Sequence, residues 1–250
     1  MTPLGLILTV LLGTAAVLVL CIELGHRIGK RGSHEEPPGI STVDAAVFAL
    51  VGFLLSFAFS GAQTRLETRR NALVQEANAI GTAYLRTDLL SEPGAVQPLY
   101  REFLEARIAG QQALPDLTAA GKEWERSGLI GRQIWEESVL GTSGKEADRR
   151  LVLDSVNQML DQCTVREVAA RTHLPMPILG LLGILTAIAA VLAGRAMAQA
   201  KNPPTFHRLI LAAVFALVLT ALVDLEHPRA GFIRLESGDT AIYGLQKLIR

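Results

Sequence analysis

Apolar residues gather into four long runs separated by polar sequence, and this grouping predicts the elements. The runs are LGLILTVLLGTAAVLVLCI (4–22), VDAAVFALVGFLLSFAFS (43–60), LPMPILGLLGILTAIAAVLAG (174–194) and LILAAVFALVLTALV (209–223). A helix needs roughly 20 residues to cross a hydrocarbon core of about 30 Å. The first and third runs meet that length, the second is slightly short, and the fourth has 15 uncharged residues. No basic side chain precedes the first run, and it exits into Glu23, His26, Arg27, Lys30 and Arg31. It is therefore expected to remain as a membrane helix rather than to be cleaved as a leader.

Residues 26–39, HRIGKRGSHEEPPG, read as a loop from their Gly, Pro and charge content. Ser41 followed by Asp44 resembles a capping box, which makes Asp44 a first-turn acid favoured by the helix dipole. No stop signal ends the second helix at the membrane edge. It continues through GAQTRLETRRNALVQEANAIGTAYLRTDLL, where Leu66, Leu73, Ala77, Ile80 and Tyr84 form one stripe at helical spacing. At about 1.5 Å per residue, such a helix of about 48 residues is roughly 70 Å long and must project from the bilayer.

Three further helices are predicted. One spans about 95–114, ending before Pro115. One carries Trp124 and Trp135 and is broken by Gly121, Gly128 and Gly131. After a loop at 141–145, the last covers roughly 146–173, with Val152, Val156, Met159 and Cys163 on one face. Pro175 and Pro177 then mark a restart or kink. The expected fold is an all-α integral membrane protein with four transmembrane helices in two hairpins (1–60 and 174–226). A helical extramembrane bundle (61–173) is inserted between them, and a C-terminal tail (227–250) follows.

Charge sets the orientation. The two short connections carry Arg27, Lys30, Arg31 and Arg195, Lys201, Arg208, and short basic loops face the cytoplasm. The insert is then outside, although its own flanks at Arg65, Arg69, Arg70, Arg166 and Arg171 argue the other way. The location implied is a bacterial inner membrane.

Composition narrows the partners. Half of the residues are apolar, and 24 basic side chains balance 24 acidic ones, so no global field points to nucleic acid. The implied partner is the lipid bilayer. The two cysteines, Cys21 and Cys163, suggest neither a disulfide framework nor a ligand pair. HExxH, CxxC, GxSxG and phosphate-cradling glycine motifs are absent, so neither enzyme activity, metal nor cofactor is expected. The scattered histidines mostly border membrane segments and read as polar anchors.

Three groups of residues carry the candidate chemistry. On the second helix Phe53, Phe57, Ser60 and Thr64 share one face, suited to a pore with an apolar constriction and hydroxyls beyond it, or simply to packing. Arg65, Arg69 and Arg70 follow at its mouth and favour anions. On the third membrane helix Gly183, Ala187, Ala190 and Gly194 have the small-residue spacing that lets helices approach closely. After the fourth, Asp224 and Glu226 sit close to the apolar body, with Pro228 ending the helix. Fifteen residues span only about 23 Å at about 1.5 Å each, so either these carboxylates lie near the membrane boundary or the bilayer thins locally, and a carboxylate at that depth needs a partner. Arg229 and Arg234 are the near candidates for an ion-pair cluster; Arg65 and Arg69 are alternatives from another helix.

The long helix with QEANAI at 75–80 and the closing DLEHPRAGFIRLE resemble the bacterial bestrophin-like family of membrane proteins over roughly residues 40–250. Asp224, Pro228, Arg229, Gly231 and Ile233 carry the most specific part of the pattern, while Leu-Glu-His at 225–227 departs from its more usual Leu-Asp-Arg. The resemblance implies distant kinship to bestrophins. From that kinship would follow a homo-oligomer, a pentamer by analogy, that passes small anions through a neck on the second helix. The residues leave two functions open: an oligomeric ion channel, or a non-conducting scaffold or sensor whose helical insert binds a partner or ligand.

Overall fold

A computed structural model of the protein describes residues 3–31, 39–198, 205–227, 232–233 and 236–249. Among these, the regular elements are helices and there is no strand. They are α1 (Pro3–Arg31), α2 (Ile40–Leu85), α3 (Pro93–Ala113), α4 (Leu117–Gly141), α5 (Glu146–Arg171), α6 (Met176–Met197), α7 (Thr205–Glu226) and α8 (Glu236–Gly244). Short 3-10 turns at Arg86–Leu89 and Leu245–Lys247 complete the set. The all-α expectation holds, and four candidate spans are long and apolar enough to cross a membrane: Ile7–Arg31, Ile40–Leu89, Glu146–Met197 and Thr205–Glu226.

The protein divides into two compact units. The first comprises Met1–Thr64 and His173–Ile233. Within it α1 lies along α6 and also against α7. Leu18 and Ile22 of α1 pack with Ala190 of α6 and with Ala212 and Ala216 of α7. Only 11%, 22%, 28% and 39% of the residues in the four apolar windows are buried. Leu12, Leu20, Phe53, Ile184 and Leu217 are among the large side chains left outside. So much outward apolar surface fits a hydrocarbon surround rather than water. The protein is a multi-pass membrane protein. Polar contacts sit near the helix ends: Arg208 Nη1 meets Glu23 Oε2 at 3.0 Å, and Arg195 Nη2 meets Asp44 Oδ2 at 3.8 Å. Helix α2 begins at Ile40, so Asp44 lies beyond its first turn and faces an arginine instead of capping the dipole.

The second unit comprises Arg65–Thr172 and Arg234–Arg250. Its core takes Leu73, Ala77 and Ile80 from α2, Tyr100 and Phe103 from α3, Ile134 from α4 and Met159 from α5. Leu73, Ala77 and Ile80 of the stripe expected on α2 are thus buried, with Tyr84 packed at their margin and Leu66 half-buried outside this cluster. Ile242 and Ile249 enter the same core, so residues after 233 form part of this unit. Asp116 starts α4 by accepting hydrogen bonds from the amides of Thr118 and Ala119 at 2.9 and 3.0 Å.

Three local expectations are corrected. Gly121, Gly128 and Gly131 do not break their helix; α4 is continuous, because packing outweighs the roughly 1 kcal/mol cost of each helical glycine. Gly131 and Gly110 are close-approach positions: a Cβ at Gly131 would meet Leu160 at 2.6 Å, and one at Gly110 would meet the Trp124 indole at 2.6 Å. Helix α1 runs on to Arg31, well into the segment read as a loop. Helix α2 stops at Leu85, where the backbone tightens into the 3-10 turn.

Candidate functional site

Phe53 and Phe57 are one helical turn apart on α2, and their ring centroids lie 4.6 Å apart at an interplanar angle of 59°. They are 59% and 63% exposed, which leaves the aromatic pair uncovered by the described residues. Ser60 and Thr64 continue that face and are also exposed. Thr64 Oγ1 donates to the Ser60 carbonyl at 3.0 Å, so its hydroxyl is satisfied within the helix. Further around α2, Leu55, Ser56 and Phe59 line an apolar groove of ≈ 680 Å³ with Phe215 and Val218 of α7; Ser60 borders it as well.

The three arginines that follow have different surroundings. Arg69 is buried and clamps the end of α5: its Nε donates to the Ala169 carbonyl at 3.2 Å and its Nη2 to the Thr172 carbonyl at 2.6 Å. Carbonyls at a helix terminus lack partners within the helix, so the Arg69 guanidinium caps the end of α5. Arg70 is on the surface, 3.8 Å from Glu67. Arg65 is half-buried and lines a groove with Thr68, Thr164, Val165, Val168 and Thr172.

Asp224 is buried at 8% exposure. Its Oδ2 accepts from the amides of Phe232 and Ile233 at 3.2 and 3.3 Å, tying the segment beyond α7 back onto the helix end. Glu226 is also buried, and its Oε2 accepts from the Leu174 amide at 3.0 Å. His173 Nδ1 lies 3.0 Å from the Glu226 carbonyl, and the His173 and His227 rings stack 5.1 Å apart. Both carboxylates therefore serve backbone amides. Arg229 and Arg234, the arginines expected beside them, lie outside the described residues, as do Lys201, Pro228 and Gly231.

The small-residue face of α6 is half engaged. Gly183 is exposed, with no atom within 4 Å of where a Cβ would sit, and Ala187 is half-buried. Ala190 is fully buried, and a Cβ at Gly194 would fall 2.0 Å from the Ile22 carbonyl oxygen. The opposing glycines are Gly25 and Gly29 of α1, whose Cβ atoms would meet the Val191 and Arg195 carbonyls at 1.9 and 2.7 Å. The Gly25-x-x-x-Gly29 spacing is a sequence signal for close helix approach, hidden at the edge of a segment read as loop.

A buried charge network in the second unit escaped sequence reasoning. Glu76, in the QEANAI stretch of α2, has no solvent exposure. Its Oε1 accepts from Arg107 Nε and its Oε2 from Arg166 Nη1, each at 2.5 Å. Arg107 Nη1 also reaches Glu167 at 2.7 Å and Ser127 at 3.2 Å. Arg166 donates to Gln111, whose amide donates to Asp239 of α8 at 2.8 Å. Burial disfavours the charged form of Arg107, but Glu76 and Glu167 more than offset this and hold the guanidinium above its ordinary pKa. Burial alone raises the phenol of neighbouring Tyr100. Beside Arg107 a pocket of ≈ 350 Å³ is lined by Phe103, Trp124, Ser127, Leu160 and Glu167. The Trp124 indole N–H is buried without a hydrogen-bond partner, and the Arg171 guanidinium lies 5.4 Å over its ring. Among the described residues no group of three or more His, Cys, Asp or Glu is placed to hold a metal ion.

Comparison with protein families matches residues 12–239 to the model described as the Bestrophin-like domain. Comparison with curated proteins and with solved structures finds no match.

Proposed function

The chain belongs to the bestrophin-like family, and on that premise we propose that it assembles as a homo-oligomer that conducts small ions, anions by preference, with α2 lining the pore. The observation that carries this reading is the uncovered Phe53–Phe57 pair on α2, with Ser60 and Thr64 following on the same face. A ring of such aromatics contributed by several copies resists wetting, while hydroxyls beyond it offer ions partial replacement of their hydration. Arg65 near the mouth supplies positive charge. In this reading the protein is not an enzyme. Its four crossings form two hairpins around the helical bundle, with a pentamer the number suggested by kinship. It sits in a bacterial inner membrane with the short basic connections in the cytoplasm and the bundle outside.

Current recording tests the proposal. Purified protein in planar bilayers should pass an anion-weighted current, and the Phe53→Ala/Phe57→Ala variant should show a higher basal current because a wider, less apolar neck holds water. If neither protein conducts in bilayers of several lipid compositions, the channel reading fails. The second reading, a ligand sensor, draws on the pocket beside Arg107, where a charged network and an unpartnered indole N–H adjoin a cavity large enough for a small molecule.

A further inference from the structure

We propose that the groove between α2 and α5 seats an anionic phospholipid, with its phosphate against Arg65 and an acyl tail along Val165 and Val168. The groove has a volume of ≈ 440 Å³ and lies within the second unit. Its depth in the bilayer follows from the sequence positions of its walls. Arg65 is five residues past Ser60, the end of the second apolar run, and so about 8 Å further along one helix at about 1.5 Å per residue. Thr172 is two residues before Leu174, where the third apolar run begins. Both walls therefore reach the level where phospholipid headgroups meet hydrocarbon.

The lining chemistry matches that level. Val165 and Val168 are 48% and 60% exposed, on a helix otherwise rich in charge. Thr164 Oγ1 donates to the Leu160 carbonyl and Thr172 Oγ1 to the Val168 carbonyl, at 3.3 and 2.8 Å. Both hydroxyls donate to α5 carbonyls, so neither needs an acceptor from an occupant of the groove. The Ala169 floor is fixed, because Arg69 clamps the Ala169 and Thr172 carbonyls. An apolar trough with a guanidinium at its edge is complementary to an acyl tail ending in a phosphate, and a basic residue at a membrane surface favours anionic lipid.

Site-directed quenching tests this in the full-length protein. Cys21 is replaced by Ser; Cys163 is buried and stays. A fluorophore on Val168→Cys is read in vesicles of phosphatidylcholine containing a small fraction of spin-labelled lipid, either phosphatidylglycerol or phosphatidylcholine. The labelled phosphatidylglycerol should quench about fivefold more effectively. Arg65→Gln should remove that preference and Arg65→Lys should keep it, with unchanged melting temperatures showing that both variants fold. In a separate retention assay, detergent-purified Val165→Asp should lose co-purifying phosphatidylglycerol. Equal quenching by the two lipids overturns the anionic assignment. Absence of quenching together with Val168→Cys cross-linking between copies means that a second copy of the protein covers the groove, and overturns the proposal altogether.

Discussion

Glu76 holds two guanidinium groups in a place that water does not reach. Replacing it with Leu leaves Arg107 and Arg166 facing each other, with Glu167 as the remaining carboxylate on Arg107. Breaking a buried pair from one side costs about 3–5 kcal/mol, so Glu76→Leu should unfold the second unit well before the wild type in a thermal melt in detergent. Glu76→Gln keeps an acceptor and should fall between; a Leu variant melting with the wild type would remove the network from the account of stability. Asp224 is a gentler case. Its two amide bonds are of the charge-assisted kind, worth about 1.5–3 kcal/mol each, and Asp224→Asn retains an oxygen for them while losing the charge. Asn should therefore lower the melting temperature less than Ala, and equal melting of all three proteins would exclude a structural role. These two residues also show what a sequence can expose. Asp224 is conspicuous because a carboxylate at the end of an apolar run has to be explained at once. Glu76 looks like one more charge on a long amphipathic helix; its partners are 31 and 90 residues away, and only the packing of α3 and α5 brings them together.

At the scale of helices, α1 and α6 touch backbone to backbone. Gly194 sits against Ile22, and Gly25 against Val191, so a methyl group at either has no room. Gly194→Ala should destabilise the protein by about 1–3 kcal/mol through forced separation of the helices, whereas Gly183→Ala should be neutral or slightly stabilising because its Cβ meets open space. Comparing their melting temperatures in one detergent decides the matter, and equal losses would show that the crossing is not the tight point. Run length and stripe spacing were enough to locate most helices, since hydrocarbon thickness and the 3.6-residue period leave few alternatives. Glycine was the misleading letter. It suggested breaks inside α4, where Gly131 accommodates Leu160, and a loop after position 25, where Gly25 and Gly29 let α6 approach. A glycine that ends a helix and one that admits a neighbour look alike until the neighbour is known.

At the scale of the whole molecule, the outward apolar surface identifies the bilayer as solvent, and the proposed ion path is tested through the charges at the end of the second apolar run. The three arginines after the second apolar run are not equivalent. Arg69 is consumed in clamping the end of α5, and Arg70 stands beside Glu67. Arg65 is half-buried and lines a groove, and in the proposed channel its reversal should alter the field at the mouth. Arg65→Glu changes the local charge by two units; at about 8 Å in a water-like dielectric that is about 1 kcal/mol for a monovalent ion, roughly a fivefold change in relative permeability. Reversal potentials under a chloride gradient should therefore move towards cation preference. The shift should shrink on going from about 0.01 M to 1 M salt, as the Debye length falls from about 30 Å to about 3 Å. Arg69→Gln should instead lower the melting temperature, because two carbonyls at the end of α5 lose charge-assisted donors. A conducting Arg65→Glu protein with unchanged selectivity at low salt would place the ion path away from this end of α2 and overturn the pore proposed for that helix.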